Sequence, residues 1–404
     1  MRVLYLHQFF VTRDGVGGTR SYEFARRLVR SGHEVCMLSA APAGGPAVRQ
    51  EIEGIRLVQV AAGYQDYMDA TKLSYARRRR GFVRFAFAAT AAAVRVERPD
   101  VIYATSPPLT MALPAIAASR RHRAPFVFEV RDLWPEAPIQ MGALTSGAGI
   151  RAARALERFV YRRAAHVVAL SPGMRDGVVA AGKPPGQVTL IPNASDLELF
   201  SPDIDGSATR ERLGLDGRFV CSYFGTMGEA NDLTPVIEAA GLLRDRGDDR
   251  VSFVLHGDGK RRGDLERRAE GLDNVVFSDP IPDKRAIAQI AAASDVCMTI
   301  YKDVPILYTC SPNKLFDTFA AGRAALVNTP GWLSDLVEQN EAGVAVRPGD
   351  AVDLADTVAR LSADPELVHR YGLNARRLAE AEFDRDRLAT RLEDVLERAA
   401  AARE

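Results

Sequence analysis

Short apolar runs alternate with amphipathic stretches from one end of the chain to the other. "RVLYL", "HEVCMLSA", "IRLVQV", "DVIYAT", "PFVFEV" and "HVVALS" read as buried strands in the first half. Between them lie helical patterns, "SYEFARRLVRSG", ending in Gly32, and "FVRFAFAATAAAVRVERP", stopped before Pro99. Apolar runs of strand length separated by helices are the grammar of a parallel sheet covered on both faces. The pattern breaks at "LIPNASDLELFSP" (190–202), rich in turn formers, and then restarts. "FVCSYFG", "VSFVLHGDG", "NVVFSD", "VCMTIY", "RAALVN" and "AGVAVRPG" alternate with the helical "DLTPVIEAAGLLRD", "GDLERRAEGL", "AIAQIAAASD" and "SPNKLFDTFAAG". The tail "DRDRLATRLEDVLERAAAARE" is one long amphipathic helix.

The pattern predicts an α/β protein of two Rossmann-like, doubly wound domains facing a cleft. Residues 1–192 form the first and 193–384 the second, and helix 385–404 packs back on the first. In open parallel sheets ligands bind beyond the carboxyl ends of the strands, so the cleft is where function is expected.

Composition changes little. The 404 residues suit about two to three domains. A net charge of +1 gives no overall field for nucleic acid, and no nucleic-acid partner is expected. Cys36, Cys221, Cys297 and Cys310 are far apart with no C-x-x-C pair, and read as buried free thiols in a reducing compartment. The start "MRVLYLHQFF" turns polar too soon for a signal peptide, and no run approaches the roughly 20 apolar residues of a membrane span. A cytoplasmic protein is expected. "DID" (203–205) and "DRD" (384–386) fall in a linker and at a helix start, where they read as solvated turns, so no metal is expected. In "YARRRRGFVRFAF", Arg77, Arg78, Arg79 and Arg80 adjoin an aromatic-rich helix. They are either a solvated loop or a peripheral contact with an anionic inner leaflet.

The candidate chemistry begins at "TCSPNKLFDTFAAGRAALV". Ser311 reads as the N-cap, Pro312 as the first helical residue and Gly322 as the stop. Lys314 then puts a cation in the first turn, where the dipole and unpaired N–H groups favour an anion. A phosphate cradle of the Asn313 and Lys314 N–H groups plus the ammonium explains it, with Asp317 on the same face to accept ribose hydroxyls. A surface helix with a Lys314–Asp317 pair is the plainer alternative. Gly17 and Gly18 in "DGVGGTR" let backbone approach a ligand, or simply make a turn; the G-x-G-x-x-G fingerprint of a dinucleotide site is absent. "LHGDGKRRGD" offers Gly257 and Gly259 followed by Lys260 and Arg261, for a diphosphate or for solvent. Arg131 and Asp132 in "FEVRDLWPE" stand at a strand's carboxyl end, as cleft charges or as a buried structural pair, with Trp134 and Pro135 as a wall.

Taken together these residues resemble glycosyltransferase family 4, of the two-domain GT-B fold, nearly end to end. "IPNASDLELFSP" is similar to the family's I-P-N-G-x-D…F-x-P linker. "LWPEAP" and "SPNKLF" resemble a subgroup acting in bacterial surface-polysaccharide assembly, often on N-acetylated sugars. The resemblance implies a nucleotide-sugar donor, expected to be a UDP-sugar, in the second domain. It also implies an acceptor in the first, lipid-linked or a small molecule such as an aminocyclitol, and retention at the anomeric carbon. It assigns Asn313 and Lys314 to the diphosphate, Asp317 to the ribose, Ile281 to the base, and Gly17 and Gly18 to the phosphates and sugar. Arg131 falls where many members carry a histidine near the reacting centre. The chain departs from the family where two glutamates are usual, having Thr309 and the shorter Asp317. It departs again after Gly225, where an Arg and a Lys are usual and Thr226 and Asn231 stand instead. The phosphate charge is then expected from Lys314 with Lys260 or Arg261, with no metal and no cofactor. A nucleotide-sugar 2-epimerase of the same fold is the alternative, needing paired carboxylates and a histidine that the sequence does not set out. An exported sugar-binding module lacks its signal peptide, and an NAD enzyme its glycine fingerprint.

Overall fold

The computed structural model describes residues 1–15, 17–41, 45, 47–61 and 75–402, the side chains of 75–79 excepted. The first sheet holds β1 (Arg2–Leu6), β2 (Glu34–Ala40), β3 (Val48–Ile52), β4 (Ile55–Val60), β5 (Val101–Thr105), β6 (Phe126–Val130), β7 (His166–Ala169) and β8 (Val188–Leu190). Their order is β3-β4-β2-β1-β5-β6-β7-β8. All pairs are parallel except β3 with β4, which form an antiparallel hairpin in which Ile52 faces Ile55. The two turn residues, Glu53 and Gly54, both have positive φ, 48° and 79°, as a two-residue hairpin turn requires. Only β4 of this hairpin is visible in the apolar pattern, because β3, "VRQEI", is polar and largely exposed at the sheet edge.

The second sheet holds β9 (Phe219–Phe224), β10 (Val251–His256), β11 (Val275–Ser278), β12 (Val296–Thr299), β13 (Ala324–Val327) and β14 (Gly343–Ala345), in the order β11-β10-β9-β12-β13-β14, all parallel. β5, β6, β10, β12 and β13 are buried at every position. That is why their sequences run apolar without alternating.

The chain crosses between the lobes twice, side by side. The Ser195 N–H donates to the Phe383 carbonyl, and the Arg385 N–H to the Ser195 carbonyl, each at 3.2 Å. Beyond the second crossing, the Arg385–Ala401 helix lies on the first sheet. Its Leu388, Leu392, Val395 and Leu396 are buried with Val3, Tyr5, Tyr103 and Val168. The linker is fixed from the other side by Arg20, at the start of the Arg20–Arg30 helix, which forms a buried ion pair with Glu129 of β6 at 2.8 Å. Tyr103 and Thr105 also donate to Glu129. The remaining Arg20 N–H groups donate to the carbonyls of Ile191 and Pro192. Four donors leave the buried Glu129 carboxylate satisfied and ionised; Arg20 is the main influence offsetting the cost of burial.

Candidate active site

Both sheets aim their carboxyl ends at one cleft of about 350 Å³. From the first lobe come His7 after β1, Pro107 after β5, Arg131 and Asp132 after β6, and the Gly17–Gly18 turn. From the second come Gly225 and Thr226, Gly257, Ile281, and Asn313, Lys314 and Asp317 of the Asn313–Ala320 helix.

The helix start differs from its sequence reading. Ser311 does not cap it: the Ser311 hydroxyl accepts the Asn193 backbone N–H at 3.0 Å, and the Asn193 amide donates to the Ser311 carbonyl. Pro312 takes the capping position without a side-chain bond, and the first helical residue is Asn313. The serine is thus spent on joining the inter-lobe linker to the helix. Among the described residues, the Asn313 and Lys314 N–H groups have no acceptor.

Nor is there a Lys314–Asp317 pair. The Lys314 ammonium lies 3.8 Å from the ring centroid of Tyr223, with no ion-pair partner among the described residues. Burial without a carboxylate drives its pKa down to about 7. Asp317 is 3% exposed; Ser195 donates to its Oδ1 at 2.8 Å and Lys284 Nζ is 3.7 Å from its Oδ2. Its pKa is raised by burial, a rise that Lys284 opposes. Nothing in the local sequence pairs Lys284 with Asp317.

Arg131 and Asp132 do not form the buried pair that was one reading of them. The Arg131 N–H donates to Ser106 Oγ at 3.1 Å, and its Nη1 approaches His7 Nε2 at 3.3 Å. Asp132 has no hydrogen bond or ion pair among the described residues, and burial lifts its pKa to about 6, against the pull of Arg131. His7, not singled out in the sequence, is 2% exposed, with its Nδ1 2.8 Å from Ser21 Oγ. Burial, then Arg131, hold its pKa well below the ordinary histidine value.

Three predicted site residues stand outside the lining of the cleft. Lys260 and Arg261 both turn outward to Glu229, at 3.2 and 3.3 Å, and Arg261 also pairs with Asp264. Thr309 donates to the Ile306 carbonyl at 2.7 Å and faces Gly173 of the neighbouring Pro172–Ala180 helix. Gly225 and Gly257 do serve the site, for a steric reason. A Cβ on Gly257 would lie 2.0 Å from the Gly225 carbonyl oxygen, and one on Gly225 3.2 Å from Lys314 Nζ. Of the cysteines, Cys221 and Cys297 are buried, whereas Cys36 and Cys310 are only partly so, and Cys310 lines the cleft.

Two largely parallel sheets meeting at their carboxyl ends across a cleft define a protein of the GT-B architecture. Residues 16–194 match the family described as glycosyl transferase 4-like domain, and residues 218–364 that described as glycosyl transferases group 1. The chain belongs to these family 4-like glycosyltransferases. It is 30% identical over 235 residues to the alpha-D-kanosaminyltransferase of Streptomyces kanamyceticus, covering 56% of this chain and 58% of that one. With the glycosyl transferase WcaI of Escherichia coli, named for colanic acid biosynthesis, identity is 26% over 72% of each chain. The chain spans little more than half of the first relative and nearly three quarters of the second. Among solved structures, sucrose-phosphate synthase from Thermosynechococcus elongatus superposes with a TM-score of 0.79 at 20% identity, covering 99% of both chains. Anabaena HepE, in complex with UDP and glucose, gives 0.73 at 19% identity, covering 98% of this chain and 100% of that one. At such identities the likeness is one of fold.

Proposed function

We propose that the protein moves a sugar, an N-acetylated hexosamine, from a UDP-sugar to an acceptor with retention at the anomeric carbon and without a metal. The observation that carries this reading is the Lys314 ammonium beside the Asn313 and Lys314 N–H groups, none with an anionic partner or acceptor among the described residues, where the two sheets meet. Breaking the anomeric C–O bond leaves the electron pair on the diphosphate. Fixed donors aimed at that charge need no reorganisation as it develops. The acceptor oxygen bonds to the anomeric carbon on the face the diphosphate leaves, and its proton passes to a phosphate oxygen. Asp317, oriented by Ser195, is the residue for the ribose, Ile281 for the base, and Asp132 with Arg131 line the cleft from the acceptor lobe. The second lobe holds the donor and the first the acceptor, in a cytoplasmic enzyme.

For the acceptor, relatives bear two kinds of name: kanosaminyl- and 2-deoxystreptamine glucosyl-transferases on one side, colanic acid biosynthesis on the other. A surface feature favours a lipid-linked acceptor at an anionic leaflet. On the Tyr75–Ala93 helix, Arg80, Val83, Arg84 and Phe87 share one exposed face, with Phe87 75% exposed. That helix packs on the Leu109–Met111 turn, two residues from Pro107 of the cleft. The side chains of Arg77, Arg78 and Arg79 lie outside the described residues. Among the described residues no helix is long and apolar enough to cross a membrane.

Calorimetric titration with UDP, GDP and UDP-N-acetylglucosamine, in EDTA, tests the donor reading. Tight UDP binding that Lys314→Ala abolishes supports it; no binding by any nucleotide sinks it. Sedimentation with anionic and neutral vesicles then tests the acceptor side, where Phe87→Ser should release the protein from anionic vesicles.

A further inference from the structure

Where the family resemblance would set an Arg and a Lys on the diphosphate, this chain has Thr226 and Asn231, and Lys260 and Arg261 are engaged by Glu229 outside the cleft. The second lobe's own cations in the cleft are therefore Lys314 and Lys284, and Lys284 is committed to Asp317. One lysine is a thin counterweight for a diphosphate.

The first lobe offers a cation on the opposite wall. A Cβ on Gly18 would lie 3.4 Å from Arg131 Nη2 and 3.7 Å from the Asn313 side-chain amide nitrogen. The guanidinium and the phosphate-facing helix start thus flank the same glycine from the two lobes. Arg131 has no carboxylate in ion-pair range among the described residues: its neighbour Asp132 makes no ion pair with it, and Glu129 is taken by Arg20. Among the described residues its only side-chain hydrogen bond is to His7. An arginine N–H can only donate, so His7 Nε2 is the acceptor and its Nδ1–H donates to Ser21 Oγ, at 2.8 Å. A buried neutral histidine, fixed at its far nitrogen, therefore aims one edge of the guanidinium and leaves the other edge to the cleft.

We propose that Arg131 is a second diphosphate-binding cation, delivered from the first lobe in place of the family's missing pair, and that His7 is the positioning residue that aims it. The inference rests on the nucleotide-sugar reading above. Arg131 touches the phosphates only when both lobes embrace the donor, so diphosphate binding and lobe approach become one event. Its planar, bidentate donors match phosphate oxygens in a way a lysine at that place would not.

Titrations of UDP and of uridine against one set of variants test this. Arg131→Met should weaken UDP binding roughly 10- to 100-fold and leave uridine unchanged, since only the diphosphate loses a charged hydrogen bond. His7→Leu should weaken UDP in the same sense, His7→Gln should recover part of it through its amide oxygen, and His7→Leu with Arg131→Met should be no worse than Arg131→Met alone. UDP binding that depends on Lys314 but is unmoved by Arg131→Met would overturn the inference while sparing the donor reading. Equal loss for UDP and uridine would make Arg131 a structural residue, and strictly additive effects would remove His7 from its role. No UDP binding by the wild type would overturn both readings. Thermal unfolding of each unliganded variant separates misfolding from lost affinity.

Discussion

The Lys314 ammonium faces the ring of Tyr223 at 3.8 Å, and no carboxylate among the described residues forms an ion pair with it. The ring's electron-rich face steadies a cation without neutralising it, which leaves the charge available to a ligand. With a pKa of about 7, the lysine is half-deprotonated near neutrality when the cleft is empty. An arriving diphosphate raises that pKa and draws a proton in.

From pH 8 to 9, where the diphosphate is essentially fully ionised, UDP affinity is therefore expected to fall with pH, by up to about tenfold per unit. Proton uptake should appear in titrations run in buffers of different ionisation enthalpy. Lys314→Ala should abolish both effects and lower kcat/KM by roughly 100- to 1,000-fold, the usual cost of one preorganised donor. A flat pH profile in the wild type would remove Lys314 from the phosphate.

The pKa of Asp317 is shifted in the opposite direction to that of Lys314. Its pKa is raised by burial, so between its unfolded and folded values the native state holds more protons and stability falls as pH rises. Lys284 limits that loss. Lys284→Met should push the Asp317 pKa higher still, costing about 1.5–3 kcal/mol at pH 8 and less at pH 5. Thermal unfolding of wild type and variant at both pH values checks it; an equal loss at both would mean that the ion pair contributes nothing.

Gly257 has a φ of +144° and no room for a side chain against the Gly225 carbonyl. Gly257→Ala should cost more than the roughly 1–2 kcal/mol of left-handed strain alone, because the loop after β9 must move and Lys314 loses its neighbour. Gly214→Ala, at φ +68° with nothing within 4 Å of the added carbon, is the control for strain without collision. Calorimetric Tm values and UDP affinity together distinguish the two.

Much of the fold was legible because parallel strands buried on both faces leave unbroken apolar runs, and twelve of the fourteen are quoted as such in the sequence. β3 and β8 escaped, the first being polar and the second three residues long. In the site, the cation at a helix start was legible because it violates a local rule. Three errors had a common source. Ser311 was read as a cap, Lys260 and Arg261 as phosphate ligands, and His7 was passed over, because each depends on a partner far away in sequence. Ser311 is engaged by Asn193, 118 residues off, and His7 by Arg131, 124 residues off. Periodicity and caps describe neighbours within a turn or two, whereas the wiring of a two-lobed cleft is made between lobes.

The return of the Arg385–Ala401 helix to the first sheet has a consequence for biosynthesis. Val3 and Tyr5 are covered by Leu392 and Leu396, which are translated only after the whole of the second lobe. The lobe that is translated first is thus completed last, after its sister, contiguous in sequence, has had the whole of its chain. Until then one apolar face of the nascent sheet stays open, for the length of an entire domain's translation.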